Sequence, residues 1–349
     1  MKILYLYEEV MGYTIATIRA LVERGAEVHI LHWDHKKLTP YQFPKLPNVY
    51  MYERSKSTVD LMKALATKIA PDITVISGWN DKGYLRVARM LKAKDMSVVT
   101  GLDSQWHGLV KQRVAALLGS IGYFSRYFSH AWVSGSYQFE YARRLGFKKN
   151  RIVYDLYSAD LNIYHRAYND YHAQKRTKYP HRFLFVGRFE PVKGLDTLLR
   201  AWELLGEKKL NWELHLIGRG SLKSILESTS GIVVKDFMQP DKLMQEVAHS
   251  GCFILPSRSE PWGVVVHEFA AAGMPLLISD VVGAANTFLI SGMNGFKFKV
   301  NDAENLAKQM ARIINMGDKT LLTMSDNSYH LSQRITPESS AANLLSCAI

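Results

Sequence analysis

The 349-residue sequence has only two cysteines, Cys252 and Cys347, too few for a disulfide framework. It also lacks any apolar run of the roughly 18 residues that a membrane-spanning helix needs. Its first apolar segment, KILYLY, is too short for the core of a secretory signal and predicts a strand instead. These absences favour a protein of a reducing compartment, and we expect it in the cytoplasm, at most peripheral to a membrane.

Several ligand-binding motifs are absent as well. There is no G-x-x-x-x-G-K-[ST], which excludes a Walker P-loop, and no G-x-G-x-x-G after the first strand, which argues against a dinucleotide fold. No D-x-D pair that could hold a metal ion occurs either, so we predict neither a metal site nor a cofactor. Nucleic-acid binding would rest on charge alone, because RNP, helix-turn-helix and zinc-finger patterns are also missing.

The net charge of +12 is unevenly distributed. Residues 1–165 contain 23 Lys and Arg against 14 Asp and Glu, whereas residues 183–349 contain 16 against 17. A basic surface attracts nucleic acid, anionic lipid or a phosphorylated substrate, although it can also be an ordinary solvated surface. We expect the basic first half to dock on an anionic membrane surface.

Strand and helix patterns alternate along the chain, which predicts parallel sheets covered by helices on both faces. Examples are the strands EVHILHW, RFLFVG and CFILPS and the helices TIATIRALVERG and TVDLMKALATKIA, the second with Thr58 as its N-cap. A polar stretch over residues 164–182 predicts a linker. We therefore predict one domain over 1–165, a second over 180–335, and a final helix, within 336–349, that returns to the first domain.

The loop FVGRFEPVKG places two cations, Arg188 and Lys193, between a strand that ends at Gly187 and the start of a helix. Free N–H groups and the positive end of a helix dipole suit an anion, and nearby cations strengthen that preference. The arrangement fits a diphosphate, although two solvated surface cations would give the same pattern. A second loop, HLIGRGSL, offers glycines that permit a positive φ or the close approach of a ligand.

The stretch SRSEPWGVVVHEFAAAGMP follows a buried strand and carries two acids, Glu260 and Glu268, eight positions apart. Pro261 suits a first helical turn, and Gly263 lets the backbone approach a ligand. Glu260 could simply be a capping acid. Glu268 lies within an apolar helix and needs a hydrogen-bonding partner, either a sugar hydroxyl, a core tyrosine or a backbone amide.

Taken together, these motifs resemble the nucleotide-sugar domain of retaining family-four glycosyltransferases, which have the GT-B fold. The resemblance is strong over about residues 180–315 and looser over 1–165. It implies an α/β protein with two doubly wound Rossmann-like domains that face each other across a cleft. The implied donor is a nucleotide-diphospho-sugar, bound in the second domain, while the first domain holds the acceptor.

The resemblance also implies roles for individual residues. Glu260 would contact the donor sugar, Glu268 the ribose, and Arg188 with Lys193 would stabilise the diphosphate leaving group without a metal. The base would be selected near Gly218 and the pair Phe237-Met238. The implied donor-binding set is Gly12, Gly187, Arg188, Lys193, Gly218, Phe237, Met238, Glu260, Pro261, Trp262, Gly263, Val264 and Glu268.

The first half departs from the family pattern. The usual Gly-Gly pair after the first strand is reduced to Gly12, and the usual histidine position holds Gly101 or Leu102. Asp103 and His107 are the nearest polar residues, and we predict that one of them replaces that histidine. The aromatic stretch GYFSRYFSHAW (122–132) indicates either buried core or a surface for acceptor or bilayer.

The sequence thus predicts a retaining hexosyltransferase that elongates a surface polysaccharide or glycolipid. Two alternatives remain open at this point. A nucleotide-sugar epimerase can share the fold and needs no separate acceptor. A catalytically silent subunit would bind nucleotide alone, and the altered first loop permits this.

Overall fold

The computed structural model describes residues 1–34 and 44–348. The strands are β1 (Lys2–Tyr7), β2 (Glu27–His32), β3 (Val49–Glu53), β4 (Ile73–Ile76), β5 (Ser97–Leu102), β6 (His130–Val133), β7 (Ile152–Val153), β8 (Arg182–Val186), β9 (Glu213–Ile217), β10 (Val233–Lys235), β11 (Cys252–Leu255), β12 (Leu276–Ser279) and β13 (Gly295–Phe298). The α-helices are α1 (Gly12–Glu23), α2 (Val59–Ile69), α3 (Lys82–Lys92), α4 (Val110–Ser120), α5 (Ser136–Arg144), α6 (Leu161–Thr177), α7 (Leu195–Leu205), α8 (Lys223–Glu227), α9 (Pro240–Ala248), α10 (Val264–Ala271), α11 (Ala285–Phe288), α12 (Ala303–Ile314), α13 (Asp318–Ser332) and α14 (Pro337–Leu345).

The chain forms two compact units. Unit 1 comprises Met1–Ser158 and Ile335–Ile349, and unit 2 comprises Ala159–Arg334. Within the described ranges, no helix combines the length and the apolar character needed to cross a membrane. Both cysteines are buried and unpaired, as expected from their number.

Unit 1 is built on a seven-stranded parallel sheet in the order β3-β2-β1-β4-β5-β6-β7. Its inner strands are apolar on both faces because helices cover both sides, and β1, β4 and β6 are almost entirely buried. Helix α2 begins at the predicted cap, where the Thr58 hydroxyl accepts a hydrogen bond from the Leu61 N–H at 3.3 Å. The order reverses between β1 and β4, which defines the topological switch point of this unit.

Helix α14 completes unit 1 although it is about 180 residues distant from it in sequence. The Ser97 hydroxyl donates to the Cys347 carbonyl at 2.6 Å, and Asn343 donates to the Asp155 carboxylate at 3.0 Å. Thr336 and Ser339 form a reciprocal capping box at the start of α14. These contacts fix the last helix against the sheet of unit 1.

Unit 2 has a six-stranded parallel sheet in the order β10-β9-β8-β11-β12-β13. The order reverses between β8 and β11, so the chain leaves these two adjacent strands toward opposite sides of the sheet. Ligands of open α/β sheets bind in the crevice that this divergence creates at the carboxyl ends of the strands. The loops after β8 and β11 therefore form the expected site.

The predicted linker over residues 164–182 is wrong. Residues Leu161–Thr177 form α6, and the boundary between the units lies before it, after Ser158. Most residues of α6 are polar, because only a narrow stripe that includes Tyr164 and Ala167 faces the core. Helix α13, with serines at several buried positions, escaped prediction for the same reason.

Candidate nucleotide-sugar site

Lys193 and Glu260 meet at the switch point of unit 2. Lys193 ends the loop after β8, and Glu260 lies in the loop after β11, 67 residues later. The Lys193 ammonium donates to the Glu260 carboxylate, and the two side chains are only 14% and 16% exposed. The Ser257 hydroxyl also donates to this carboxylate at 3.2 Å. A paired cation and anion thus occupy the expected ligand crevice, and Glu260 does not act as a helix cap.

Arg258 fastens the two loops to each other. It donates to the Pro191 carbonyl at 3.1 Å, forms an ion pair with Asp196 and donates to the Asn301 side chain at 2.7 Å. Gly194 brings the loops into direct contact, because a Cβ at this position would lie 2.2 Å from the Pro256 carbonyl oxygen. Sequence reasoning missed Arg258, since its partners are up to 67 residues away.

Helices α7 and α10 begin at this crevice. Gly194, with φ of 66°, precedes α7, and Gly263, with φ of 89°, precedes α10. Neither residue offers a side chain to cap its helix, and an uncapped helix N-terminus suits an anionic ligand. The predicted helix start at Pro261 is wrong by three residues, because α10 begins at Val264.

The start of α10 also changes which residues face the core. Val264 and Val265 are only partly covered, whereas Val266 is fully buried. Phe269 and Ala272 are also buried.

Arg188 occupies a different environment from Lys193. Its side chain is exposed and forms no hydrogen bond or ion pair with the described part of the chain. The neighbouring Glu190 instead accepts hydrogen bonds from the backbone and hydroxyl of Ser221, at 3.1 and 2.7 Å, which ties this loop to the turn after β9. Lys193 is thus already engaged in the crevice, while Arg188 remains in solvent.

The glycines after β8 and β9 are required by the packing of their two loops. A Cβ at Gly218 would lie 1.9 Å from the Gly187 carbonyl oxygen, and one at Gly220 would lie 2.4 Å from the Phe189 carbonyl oxygen. The sequence offered a positive φ or ligand approach as reasons for these glycines. The structure gives a third reason, which is the close approach of neighbouring backbone.

Glu268 has a protein partner in the core tyrosine that the sequence left as one option. The Tyr164 hydroxyl hydrogen-bonds the carboxylate, and Asp160 lies close enough to oppose its charge. Burial, the largest influence, raises the pKa of Glu268 to about 7. Glu268 therefore titrates close to neutral pH.

His267, which precedes Glu268, was not singled out from the sequence. Its Nδ1 accepts from the Ala159 N–H at 3.0 Å, and its Nε2 donates to the Ser332 carbonyl at 2.8 Å. The ring stacks on Phe288 with centroids 4.1 Å apart, and burial lowers the pKa of His267 to about 3. A neutral histidine thus joins the start of unit 2 to α10 and to the end of α13.

Trp262 is a buried residue. Its side chain is 4% exposed and packs edge-on against Phe288. The indole N–H finds no hydrogen-bond partner among the residues described. Because the ring is buried, a contact between Trp262 and a ligand would have to come from its backbone.

Phe237 and Met238 lie between β10 and α9, both partly exposed. Strand β10 is two positions from β8 in the sheet, or roughly 10 Å at the usual strand spacing. Beside them, Arg219 forms a bidentate pair with Asp236, at 2.6 and 2.9 Å, and this pair lowers the pKa of Asp236. These residues form a second cluster along the edge that leads away from the Lys193 crevice.

The predicted residues of unit 1 are distributed around its own sheet edge. Gly12 begins α1, just after the end of β1. Asp103 follows β5 and accepts a hydrogen bond from the Tyr157 hydroxyl at 3.3 Å. His107 is exposed, and only its backbone N–H is bonded, to Gln112 at 2.8 Å. Asp103 and His107 remain predictions as replacements for the family histidine.

Metal ligands are not assembled in the described residues. No group of three or more His, Cys, Asp or Glu side chains there is arranged to hold an ion. The aromatic stretch 122–132 is largely core, with Phe124, Phe128 and Trp132 buried, whereas Tyr123 and Tyr127 are only partly covered.

Solved structures share this architecture along the whole chain. The crystal structure of Anabaena HepE in complex with UDP and glucose superimposes with a TM-score of 0.73 at 15% identity, covering 99% of this chain and 98% of that one. The structure of sucrose-phosphate synthase from Thermosynechococcus elongatus gives a TM-score of 0.74 at 19% identity, covering 99% and 97%. The chain therefore has the fold of the GT-B glycosyltransferases.

The family resemblance follows from the sequence of unit 2. Residues 169–331 match the model of the glycosyl transferases group 1 family. This range covers most of unit 2, which therefore resembles the group 1 glycosyltransferases in sequence. The predicted family resemblance and the predicted GT-B fold are both confirmed.

Curated relatives agree with this assignment. An uncharacterized glycosyltransferase from Haemophilus influenzae is 28% identical over 155 residues, which is 43% of this chain and 44% of the relative. The capsular polysaccharide biosynthesis glycosyltransferase CapM from Staphylococcus aureus is 23% identical over 332 residues, covering 85% and 83%. The chain spans less than half the length of the first three curated relatives that it matches.

Proposed function

We propose that the chain moves a sugar from a nucleotide-diphospho-sugar to a glycan or lipid-linked acceptor, with retention of configuration and without a metal, in surface polysaccharide or glycolipid assembly. The Lys193–Glu260 pair at the switch point of unit 2 carries the proposal. The family match supports sugar transfer. The name of CapM supports the polysaccharide setting, and the complexes of HepE with UDP and with UDP-glucose support the donor class.

The diphosphate would lie between the first turns of α7 and α10. There it would meet two helix N-termini, the Lys193 ammonium and, after a rotation of its solvent-exposed side chain, Arg188. Departure of a nucleoside diphosphate builds negative charge on its phosphates. Fixed cations and oriented N–H groups stabilise that charge, and this is the task a metal would otherwise perform.

Glu260 would hold the hydroxyls of the donor sugar. In the free protein its carboxylate is neutralised by Lys193. A bound donor offers a phosphate to the lysine and hydroxyl donors to the carboxylate, so each partner of the ion pair gains a new one. Substrate binding therefore exchanges one set of charge-assisted hydrogen bonds for another and leaves neither charge unpaired.

Glu268 would bind the ribose, and the base would lie toward Phe237 and Met238. The ribose hydroxyls would add to the hydrogen bond that Tyr164 already donates to Glu268. The acceptor would be bound by unit 1, which contains 23 Lys and Arg against 14 Asp and Glu and so suits an anionic membrane surface.

A thermal-shift screen with UDP, GDP, ADP and CMP, with and without EDTA, tests the donor site. A ligand that binds only the folded state raises the unfolding midpoint by mass action. We expect one nucleoside diphosphate to raise it in EDTA, and Lys193→Ala to weaken that binding by about 10- to 100-fold, as for loss of a charged hydrogen bond. Lys242→Ala, an exposed lysine on α9, is the matched control.

Two variants then test the assigned roles. Glu268→Ala should weaken nucleotide binding, while Glu260→Gln should keep it and slow transfer. A shift that requires Mg²⁺ would contradict the metal-independent mechanism. Turnover of the sugar without an acceptor would identify an epimerase, and the absence of any nucleotide shift would identify a silent subunit.

A further inference from the structure

Helix α4 of unit 1 turns its most apolar side to the solvent. Val110, Val114, Leu117 and Ile121 recur at intervals of four, three and four residues, so they form one stripe along the helix and its C-cap. These side chains are 78%, 52%, 68% and 73% exposed in the whole chain. An ordinary surface helix places such a stripe against the core.

The opposite face of α4 holds the helix to unit 1. Gly119 is the buried residue of the helix, and a Cβ there would lie 2.5 Å from the Leu145 backbone. At about 100° per residue, Gly119 lies on the side opposite the stripe. Because Gly119 packs against the Leu145 backbone, the apolar stripe on the opposite face of α4 points outward.

The charged residues of α4 and of the segment that follows it are all positive. Lys111 and Arg113 lie on its two flanks, and Arg126 follows the helix. No Asp or Glu occurs between Asp103 and Glu140. An apolar groove of a protein partner would not require positive charges alone beside the stripe, whereas anionic headgroups of a bilayer favour this arrangement.

Two partly covered tyrosines, Tyr123 and Tyr127, follow α4, with ring centroids 5.5 Å apart. Tyrosine rings with one apolar and one polar end prefer the boundary between acyl chains and headgroups. We propose that α4 lies in the plane of an anionic membrane surface and inserts its stripe of Val110, Val114, Leu117 and Ile121 among the lipids. The inference deepens the membrane part of the proposed function but does not depend on sugar transfer.

Flotation with vesicles tests the proposal. We expect the protein to bind vesicles of phosphatidylcholine and phosphatidylglycerol (70:30) and to bind pure phosphatidylcholine far more weakly. The triple variant Val114→Ser, Leu117→Ser and Ile121→Ser should lower partitioning by about 100-fold. Lys111→Gln with Arg113→Gln should lower it by about 30-fold and reduce its salt dependence.

The chain provides a matched control for apolar exposure. Leu61, Leu210 and Ile225 are 57%, 69% and 60% exposed and are not part of α4. Changing these three residues to serine should leave vesicle binding unchanged. Equal losses in both triple variants, or none in the stripe variant, would overturn the proposal, as would failure of the wild-type protein to bind the anionic vesicles.

A labelling experiment locates the contact independently of any loss of folding. Cys252 and Cys347 are fully buried, so Leu117→Cys gives one accessible thiol for a polarity-sensitive fluorophore. Anionic vesicles should shift its emission to the blue, and the same label at Leu61→Cys should not respond. A dimer in solution that the stripe variant dissociates would instead identify a second copy as the occupant. The absence of a thermal shift with every nucleotide of the screen, alongside normal vesicle binding, would refute the donor site alone.

Discussion

Replacement of Glu268 by glutamine tests whether burial holds this carboxyl group partly protonated near neutral pH. Burial raises the pKa of Glu268 to about 7, from an ordinary value of 4.5, even though Tyr164 donates a hydrogen bond to it. Glutamine keeps the size of the side chain and can accept the same hydrogen bond, but it does not titrate. The perturbation therefore isolates the ionisation of one group.

The sign of the effect follows from proton binding. Between pH 4.5 and about 7 the folded protein holds a proton that the unfolded chain has released, so the free energy of unfolding falls as pH rises through this window. The pKa difference corresponds to at most about 3 kcal/mol, of which about 2 kcal/mol falls between pH 5 and 8. The Glu268 side chain is only partly covered, and its contact with water lowers the change in unfolding free energy between pH 5 and 8 toward about 1 kcal/mol.

His267 acts in the opposite direction. Burial lowers its pKa to about 3, from 6.5, so the unfolded chain takes up a proton below pH 6.5 that the folded protein does not. This histidine removes about 2 kcal/mol of stability between pH 8 and pH 5. The two adjacent residues therefore oppose each other in the wild-type protein, and Glu268→Gln should reveal the full acid-side loss caused by His267.

Urea unfolding at pH 5, 6, 7 and 8 measures this. We expect Glu268→Gln to be more stable than the wild type at pH 8, by about 1–2 kcal/mol, and close to it at pH 5. Glu207→Gln, at an exposed glutamate, should follow the wild type throughout. Profiles of wild type and Glu268→Gln that stay parallel from pH 5 to 8 would refute the raised pKa of Glu268.

Three further substitutions test the packing around the site. Gly194→Ala should lower the free energy of unfolding in urea by at least about 2 kcal/mol, because its Cβ would meet a carbonyl oxygen. Gly231 has a similar φ but open space around it, so Gly231→Ala should lower the free energy of unfolding by only about 1 kcal/mol. Trp262→Phe should lower the free energy of unfolding by about 1–2 kcal/mol less than Trp132→Phe does. The reason is that, of these two indoles, only that of Trp132 donates a hydrogen bond, to the Tyr154 carbonyl at 2.8 Å. Equal unfolding midpoints of the two variants would contradict this expectation. Arg258→Met should reduce the nucleotide-induced thermal shift without removing a ligand contact, and an unchanged shift would show that the loops hold their places without it.

Local sequence patterns determined most of the elements in this protein. Strands such as β8 and β11 are encoded by short apolar runs next to a glycine. Helices such as α1 and α2 are encoded by an amphipathic period that ends at Gly25 or begins at the cap Thr58. The spacing of Glu260 and Glu268 after a buried strand likewise required no tertiary information. The exceptions were α6 and α13, whose buried stripes carry tyrosine, alanine and serine and so lack a strong apolar period.

Tertiary structure alone decided how these residues meet. Lys193 pairs with Glu260 because β8 and β11 are adjacent in the sheet, and strand order is not written in either strand. The same holds for the link from His267 to Ala159. The outward direction of the α4 stripe depends on Gly119 fitting against Leu145, since helical periodicity gives the face but not the side that is buried. Such contacts join residues far apart in sequence, and their energies appear only once the chain has closed the loops between them.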